Sequence, residues 1–126
     1  MYQLLFSPTF EAEFENVLKA YPHSFNRVKN EILALRMRPT DGDAYPGFSP
    51  FQIRKLRLGL KAYNIGKSKG LRFIYLLIGE RQCLIPIHIY KKGEYKKEYD
   101  VVQRIKANLK KILSEQASGL CTQHWE

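Results

Sequence analysis

Cysteine, tryptophan and long apolar runs are all scarce in this chain of 126 residues. Its two cysteines, Cys83 and Cys121, cannot form a disulfide framework, and we expect a buried apolar side chain and an incidental thiol. The longest apolar runs, at residues 73–78 and 83–89, are far shorter than the roughly 20 residues of a membrane-spanning helix. The first residues also lack the basic start of a secretory signal. The sequence therefore predicts a cytoplasmic chain that does not cross a membrane.

Several common catalytic motifs are missing as well. Gly66-Lys67-Ser68 ends like a phosphate-binding loop, but Lys61 stands where that loop needs its first glycine. Cys121 and His124 have the spacing of half a metal site, which is a weak signal in a C-terminal tail. The predicted strands carry no paired carboxylates for glycoside or aspartyl chemistry. We therefore expect neither a metal nor an organic cofactor.

Acidic residues are absent from one long segment, and this absence is the strongest signal in the sequence. Residues 1–50 have a net charge of −1, residues 51–126 have +10, and the whole chain has +9. Such a balance indicates a polyanionic partner, whereas a merely solvated surface usually mixes both signs. A basic strand edge that resists aggregation is the alternative. Between Ala44 and Gly79 there is no Asp or Glu, while the segment holds Arg54, Lys55, Arg57, Lys61, Lys67, Lys69 and Arg72.

The N-terminal part has the pattern of a short strand followed by two helices. Ser7-Pro8 predicts a helix start after a strand over residues 2–6, because serine is a good N-cap and proline suits the first helical position. Pro22 ends this helix, and a second one is expected from Ser24 to a point before Pro39. Residues 40–50 are rich in turn-forming residues and predict a surface loop.

From Gln52 onward the apolar period changes from that of a helix to that of a strand. Strands are expected over 53–58, 71–78 and 82–90, with Lys55 and Arg57 on the face opposite Leu56 and Leu58. Pro86 cannot donate a ladder hydrogen bond, so the last strand should lie at an edge or contain a bulge. A final helix over residues 97–116 has one apolar stripe.

The expected order is therefore βααβββα, an α+β class. An antiparallel-rich, four-stranded sheet would pack against an N-terminal helical hairpin and a C-terminal helix. Residues 1–117 are expected to form a single domain and residues 118–126 a disordered tail.

Lysine and arginine alone can support cleavage of RNA. The 2′-hydroxyl of RNA can attack the neighbouring phosphate if a base, an acid and cations for the developing phosphoryl charge are present. Charge alone, however, favours phosphate binding over catalysis.

Three basic motifs, taken in their order along the chain, also resemble those of a known family. The runs at 53–57, 66–75 and 87–92, namely I-R-K-L-R, G-K-S-K-G-L-R-F-I-Y and I-H-I-Y-K-K, resemble the RelE family of toxin–antitoxin toxins. The resemblance covers roughly residues 2–115. It implies an endonuclease that cuts mRNA in the ribosomal A site, leaves a cyclic phosphate and is silenced by a cognate antitoxin.

The resemblance also implies site residues. Lys55 matches the general base, and Arg72 matches the arginine that stabilises the transition-state phosphate. Lys92 stands where the family has an arginine that donates a proton or contacts phosphate, although a lysine lacks the bidentate fork. Tyr99 is nearest to the tyrosine that stacks on the substrate base, and Tyr95 competes for that place. RNA phosphates are expected to meet Arg54, Arg57, Lys67, Lys69 and Lys91.

Two other functions remain open from the sequence. A ParE-like relative on the same fold would inhibit gyrase and would need no base or acid. A catalytically inactive module would bind an antitoxin and repress transcription, and the lysine at position 92 keeps that possibility open. His88 is expected to be a satisfied strand histidine, not a catalyst.

Overall fold

The computed structural model describes residues 1–123, and this part of the chain forms an α+β fold, as predicted. Its helices are α1 (Pro8–Ala20), α2 (Phe25–Ala34) and α3 (Glu98–Ala117). Its strands are β1 (Gln3–Leu4), β2 (Asp43–Ala44), β3 (Gln52–Leu58), β4 (Leu71–Ile78) and β5 (Cys83–Lys91). No helix within residues 1–123 is both long and apolar enough to span a membrane.

The strands form one sheet in the order β1-β5-β4-β3-β2. β1 runs parallel to β5, and the other neighbours are antiparallel. The sheet therefore has five strands, and the predicted count of four was wrong. The additional strand is β2, which lies in the segment predicted to be a surface loop. Two residues are too few to show a strand period, so the turn residues around them dominated the pattern.

The start of α1 follows the sequence signal. The Oγ atom of Ser7 accepts a hydrogen bond from the backbone N–H of Phe10 at 3.0 Å, and Pro8 occupies the first helical position. The ring of Phe10 lies 5.8 Å from that of Phe73 in β4, centroid to centroid. This contact fixes α1 against the sheet. Phe14 and Phe25, at 6.4 Å, join α1 to α2 across the intervening turn.

A β-bulge in β5 accommodates Pro86. Ile74 of β4 is opposite His88, but the next residue, Tyr75, is opposite Pro86, so β5 carries one extra residue at this point. The interruption of the ladder falls where proline has no N–H to donate. Of the two predicted alternatives, an edge position or a bulge, the structure has the bulge, and β5 lies between β1 and β4.

The C-terminal helix α3 packs against β5 and α1. Its inner stripe is buried and consists of Val101, Ile105, Leu109 and Ile112, with Asn108 as a polar member. Beyond the helix, Thr122 pairs with Phe6 through two backbone hydrogen bonds of 2.7 and 2.9 Å. Thr122 belongs to the segment 118–126 that the sequence predicts to be a disordered tail, and residues 124–126 lie outside the described part.

Candidate functional site

Basic and aromatic side chains meet in register across β3, β4 and β5. Arg57 is opposite Arg72, and Arg72 is opposite Tyr90. Two residues further along, Lys55 is opposite Ile74, which is opposite His88. Residues in register point to the same side of a sheet. We call this side the basic face; it carries Lys55, Arg57, Arg72, His88 and Tyr90.

Arg72 is the buried cation of the basic face, with a relative exposure of only 5%. Its guanidinium donates hydrogen bonds to the carbonyls of Lys67 at 2.8 Å, Ser68 at 2.9 Å and Leu71 at 3.2 Å. Burial lowers the pKa of Arg72, as does the charge of Arg57, while Tyr90 acts in the opposite direction. These three acceptors are neutral. The side chain thus organises the loop before β4, and its three hydrogen-bond acceptors among residues 1–123 leave its positive charge in place.

Arg57 is exposed beside Arg72. Like charges directly opposite each other on neighbouring strands are unfavourable for folding. A bound phosphate would relieve the repulsion, because the exposed guanidinium of Arg57 can offer paired donors to its oxygens while Arg72 adds positive charge beside them. The Arg57–Arg72 pair is therefore suited to hold an anion.

Lys55 is half-buried and lies next to an aromatic ring. Its Nζ atom is 4.8 Å from the centroid of Tyr45, within the range of a cation–π contact. The hydroxyl of Tyr45 donates a hydrogen bond to the carboxylate of Glu98, and burial raises the pKa of Tyr45, with Glu98 adding to the rise. Asp43 of β2 is opposite Lys55 in register. Lys55 and Arg72 are diagonal neighbours, a relationship that places Cβ atoms roughly 7–8 Å apart or less.

Arg54 lies on the face opposite Lys55 and Arg57. Its Nε donates to the carbonyl of Gly42 at 2.7 Å, and one terminal nitrogen donates to that of Thr40 at 3.1 Å. Arg54 therefore holds the loop before β2 against β3. The structure does not bring it together with the basic face, although the sequence suggested it as an RNA-binding residue.

The remaining basic candidates lie around the loop that precedes β4. Lys67 and Lys69 are exposed within it. Lys92 is also exposed, and its backbone N–H donates to the carbonyl of Gly70 at 2.8 Å, which ties the end of β5 to this loop. Lys91 is half-buried and opposite Leu71, so it lies on the side of the sheet opposite the basic face, although the sequence suggested it as an RNA-binding residue.

Tyr99, the sequence's first choice for stacking on a base, is 68% exposed in the first turn of α3. Its neighbour Glu98 accepts the hydrogen bond from Tyr45. Tyr99 is therefore adjacent in sequence to Glu98, whose carboxylate binds the hydroxyl of Tyr45, and the ring of Tyr45 contacts Lys55. Tyr95, its competitor, is half-buried and lies against β5.

His88 is part of a buried polar cluster that sequence reasoning did not find. Its Nδ1 atom is 2.6 Å from Oε1 of Glu13, and its Nε2 atom is 2.9 Å from the hydroxyl of Tyr95. Asn108 donates to the other carboxylate oxygen of Glu13 at 2.8 Å and to the carbonyl of Ile87 at 3.0 Å. Arg104 lies 3.5 Å from the same oxygen of Glu13.

These contacts set the ionisation of the Glu13 carboxyl. Burial works to raise its pKa, but the hydrogen bond and charge of His88, the hydrogen bond of Asn108 and the charge of Arg104 outweigh burial and lower it overall. Glu13 is therefore ionised at neutral pH. One signal was available in the sequence: Glu13 follows Phe10 by three residues and precedes Val17 by four, so it stands within the apolar stripe of α1.

An open cleft of about 360 Å³ borders this cluster. Glu13, His88, Lys91, Tyr95 and Arg104 are among its lining residues. A larger concavity of about 440 Å³ lies on α1 and α2, lined mostly by apolar residues such as Phe14, Leu18 and Phe25, away from the basic face. The polar cleft is the better candidate for chemistry, because it contains titratable groups in mutual contact.

No metal centre is evident in the described part of the chain. Among residues 1–123, no three or more His, Cys, Asp or Glu side chains are placed to hold a metal ion. The suggested partner of Cys121, His124, lies outside the described residues.

Similarity to known proteins is confined to structure. No family model matches this sequence, and no curated protein matches it. A crystal structure of the isolated E. coli RelE toxin, in its P21 form, is similar with a TM-score of 0.50 and 19% sequence identity. The match covers 83% of this chain and 99% of the toxin chain. At that identity the similarity shows a RelE-like fold and nothing further.

Proposed function

We propose that this chain is the toxin of a toxin–antitoxin module and acts as a ribosome-dependent mRNA endonuclease. The observation that carries the proposal is the Arg57–Arg72 pair, two guanidinium groups in register with no carboxylate in their row. The RelE-like fold and the motif resemblance support it. A pair of this kind is unfavourable without an anion and is suited to a phosphodiester.

The proposed reaction uses the RNA as its own nucleophile. Lys55 accepts the proton of a ribose 2′-hydroxyl, and the 2′-oxygen attacks the adjacent phosphorus. Arg72 and Arg57 bind the phosphoryl oxygens as charge develops, and Lys92 contacts the same phosphate. The bond to the 5′-oxygen breaks, leaving a 2′,3′-cyclic phosphate and a free 5′-hydroxyl. The proposed step uses no metal ion.

The surrounding residues supply binding. Lys67 and Lys69 contact phosphates of mRNA or ribosomal RNA, and Tyr99 stacks on a base. The net charge of +9 favours encounter with the ribosome. The affinity of the chain for RNA and for the ribosome should therefore fall as the salt concentration rises, and an affinity insensitive to salt would contradict this role.

The proposed partner is an antitoxin that presents an acidic segment to the basic face. Opposite potentials speed the encounter, and covering Arg57 and Lys55 removes the RNA site. The same charge complementarity predicts that the complex weakens with salt.

Expression in growing cells tests the function. Wild-type chain should arrest growth and leave mRNA cut within codons, whereas Arg57→Ala combined with Lys55→Ala should remove the cuts. Lys110→Ala, at an exposed position of α3, is the matched charge control and should arrest growth like the wild type. DNA breaks with intact mRNA would indicate gyrase inhibition instead, and an absence of arrest would indicate an inactive module.

A further inference from the structure

Three ionisable side chains from different elements form one hydrogen-bonded chain. Glu13 belongs to α1, His88 to β5, and Tyr95 to the turn before α3. The two links measure 2.6 Å and 2.9 Å, and the imidazole between them is 3% exposed. Buried histidines need partners, but a histidine held at both ring nitrogens by ionisable groups can also pass a proton.

The charge on Glu13 sets the direction of the hydrogen bonds among these three side chains. An ionised carboxylate accepts hydrogen bonds only, so Nδ1 of His88 carries the proton on that side. The distance of 2.6 Å fits a strong, charge-assisted hydrogen bond between the two side chains. When His88 carries a proton on both ring nitrogens, Nε2 donates to the Tyr95 oxygen. The O–H of Tyr95 is left to point away from His88.

Tyr95 stands next to the phosphate-binding row. Its ring centroid is 5.2 Å from that of Tyr90, and Tyr90 is in register with Arg72. The phenol also lines the open cleft beside Lys91 and Arg104. Burial raises the pKa of Tyr95, with Arg104 acting against the rise, so the phenol keeps its proton at neutral pH. A protonated phenol thus lies at the border between the cleft and the basic face.

We propose that Tyr95 is the proton donor to the leaving 5′-oxygen, and that His88 and Glu13 are positioning residues that resupply its proton. The inference rests on the proposed endonuclease function. It assigns the acid role to a residue other than Lys92, which the resemblance places at that point of the reaction.

The proton transfers balance in this scheme. Lys55 takes the proton of the 2′-hydroxyl as the bond between the 2′-oxygen and phosphorus forms. As the bond from phosphorus to the 5′-oxygen breaks, the Tyr95 proton passes to the 5′-oxygen. The Nε2 proton of His88 moves to the Tyr95 oxygen, which leaves a neutral imidazole that still donates Nδ1–H to Glu13. Solvent returns one proton to His88 and accepts one from Lys55 after product release.

A substrate with a sulfur leaving group distinguishes a tyrosine that donates a proton from one that only supports the structure. The experiment uses purified full-length chain and ribosomes carrying an mRNA whose scissile 5′-oxygen is either natural or replaced by sulfur. Thiolate leaves without protonation. Tyr95→Phe should therefore slow single-turnover cleavage of the oxygen substrate by ~10²-fold or more, the range of general acid catalysis, and should cleave the sulfur substrate nearly as fast as wild type.

Further variants test the roles of the other residues in the scheme. His88→Gln and Glu13→Gln should cleave the oxygen substrate more slowly, with KM little changed. Both variants should cleave the sulfur substrate nearly as fast as the wild type. Lys55→Ala should be slow on both substrates, because the base acts before the leaving group departs. Tyr2→Phe removes a half-buried phenol beside Gly79, next to the other end of β5, and should match the wild type on both.

Each outcome decides the matter. Equal losses on oxygen and sulfur for Tyr95→Phe, or no loss on oxygen, would overturn the inference while leaving the endonuclease intact. Failure of the wild type to cleave either substrate would overturn the proposed function and the inference with it. Thermal unfolding of each variant identifies any that does not fold; if Tyr95→Phe does not, Glu13→Gln carries the same test.

Discussion

Arg57 of β3 lies directly opposite Arg72 of β4, the first exposed and the second buried. Like charges in this relationship oppose folding by roughly 0.2–1 kcal/mol. The burial of Arg72 increases the effect, because fewer water molecules screen its charge. The basic face therefore has an unfavourable charge arrangement in the free protein, and a phosphate removes it.

Replacing Arg57 by glutamine should stabilise the free chain. We expect the free energy of unfolding to rise by about 0.5 kcal/mol at low salt, since one of two opposed charges is gone. The difference should shrink at high ionic strength, where screening already weakens the repulsion. Urea unfolding of both chains at two salt concentrations measures this. Lys110→Gln serves as the control, and an unchanged or lower stability for Arg57→Gln would mean that the pair is not repulsive.

Arg54→Ala should have the opposite effect. It removes two hydrogen bonds from a charged donor to the carbonyls of Thr40 and Gly42, and we expect a loss of about 1.5–3 kcal/mol. Because Arg54 lies away from the basic face, the cleavage rate of the folded fraction should change little. Urea unfolding and single-turnover cleavage measure the two effects. A large loss of rate without loss of stability would place Arg54 at the RNA after all.

Gly70 should tolerate no side chain. A Cβ atom at this position would lie 2.0 Å from the carbonyl oxygen of Leu58, and backbone cannot move aside as a flexible side chain can. Gly70→Ala should therefore cost about 3 kcal/mol or more, or prevent folding. Gly66→Ala is the matched control, since an added Cβ meets nothing within 4 Å there. Equal thermal stability of the two variants would contradict the close approach.

The carboxyl of Glu13 should make stability depend on acid. Its pKa is lowered in the folded chain, so the unfolded chain binds more protons as pH falls below the ordinary value of 4.5. Its contribution is complete above pH 4.5 and disappears as pH falls through the folded-state pKa. The stability difference between wild type and Glu13→Gln should thus be larger at pH 7 than at pH 3. Glu15→Gln, at an exposed position of α1, should show no such change.

Local patterns predicted most of the regular structure. The start of α1 followed from Ser7-Pro8, and the bulge in β5 was one of the two alternatives that followed from Pro86, because both features depend on the chemistry of one or two neighbouring residues. β2 was missed for the reason that its pairing with β3 is a tertiary property, not a local one. The alternation of apolar and basic residues in β3 correctly predicted that Lys55 and Arg57 share one face of the sheet.

The candidate site was less accessible to such reasoning. Glu13 and His88 are separated by 75 positions in the sequence, and only the packing of α1 against β5 brings them together. The acceptors of Arg72 are backbone carbonyls, which carry no signature in the side-chain sequence. A pattern can indicate that charges share a strand face, but it cannot show which of them the fold itself engages.

The three carbonyls around Arg72 have an evolutionary consequence. One guanidinium both shapes the loop of residues 67–71 and supplies charge at the basic face, so selection for foldability alone would retain it. A descendant that had lost every trace of ribonuclease activity would still keep arginine at this position. Retention of Arg57, which is exposed and opposes folding, would instead record that an anion is still being bound.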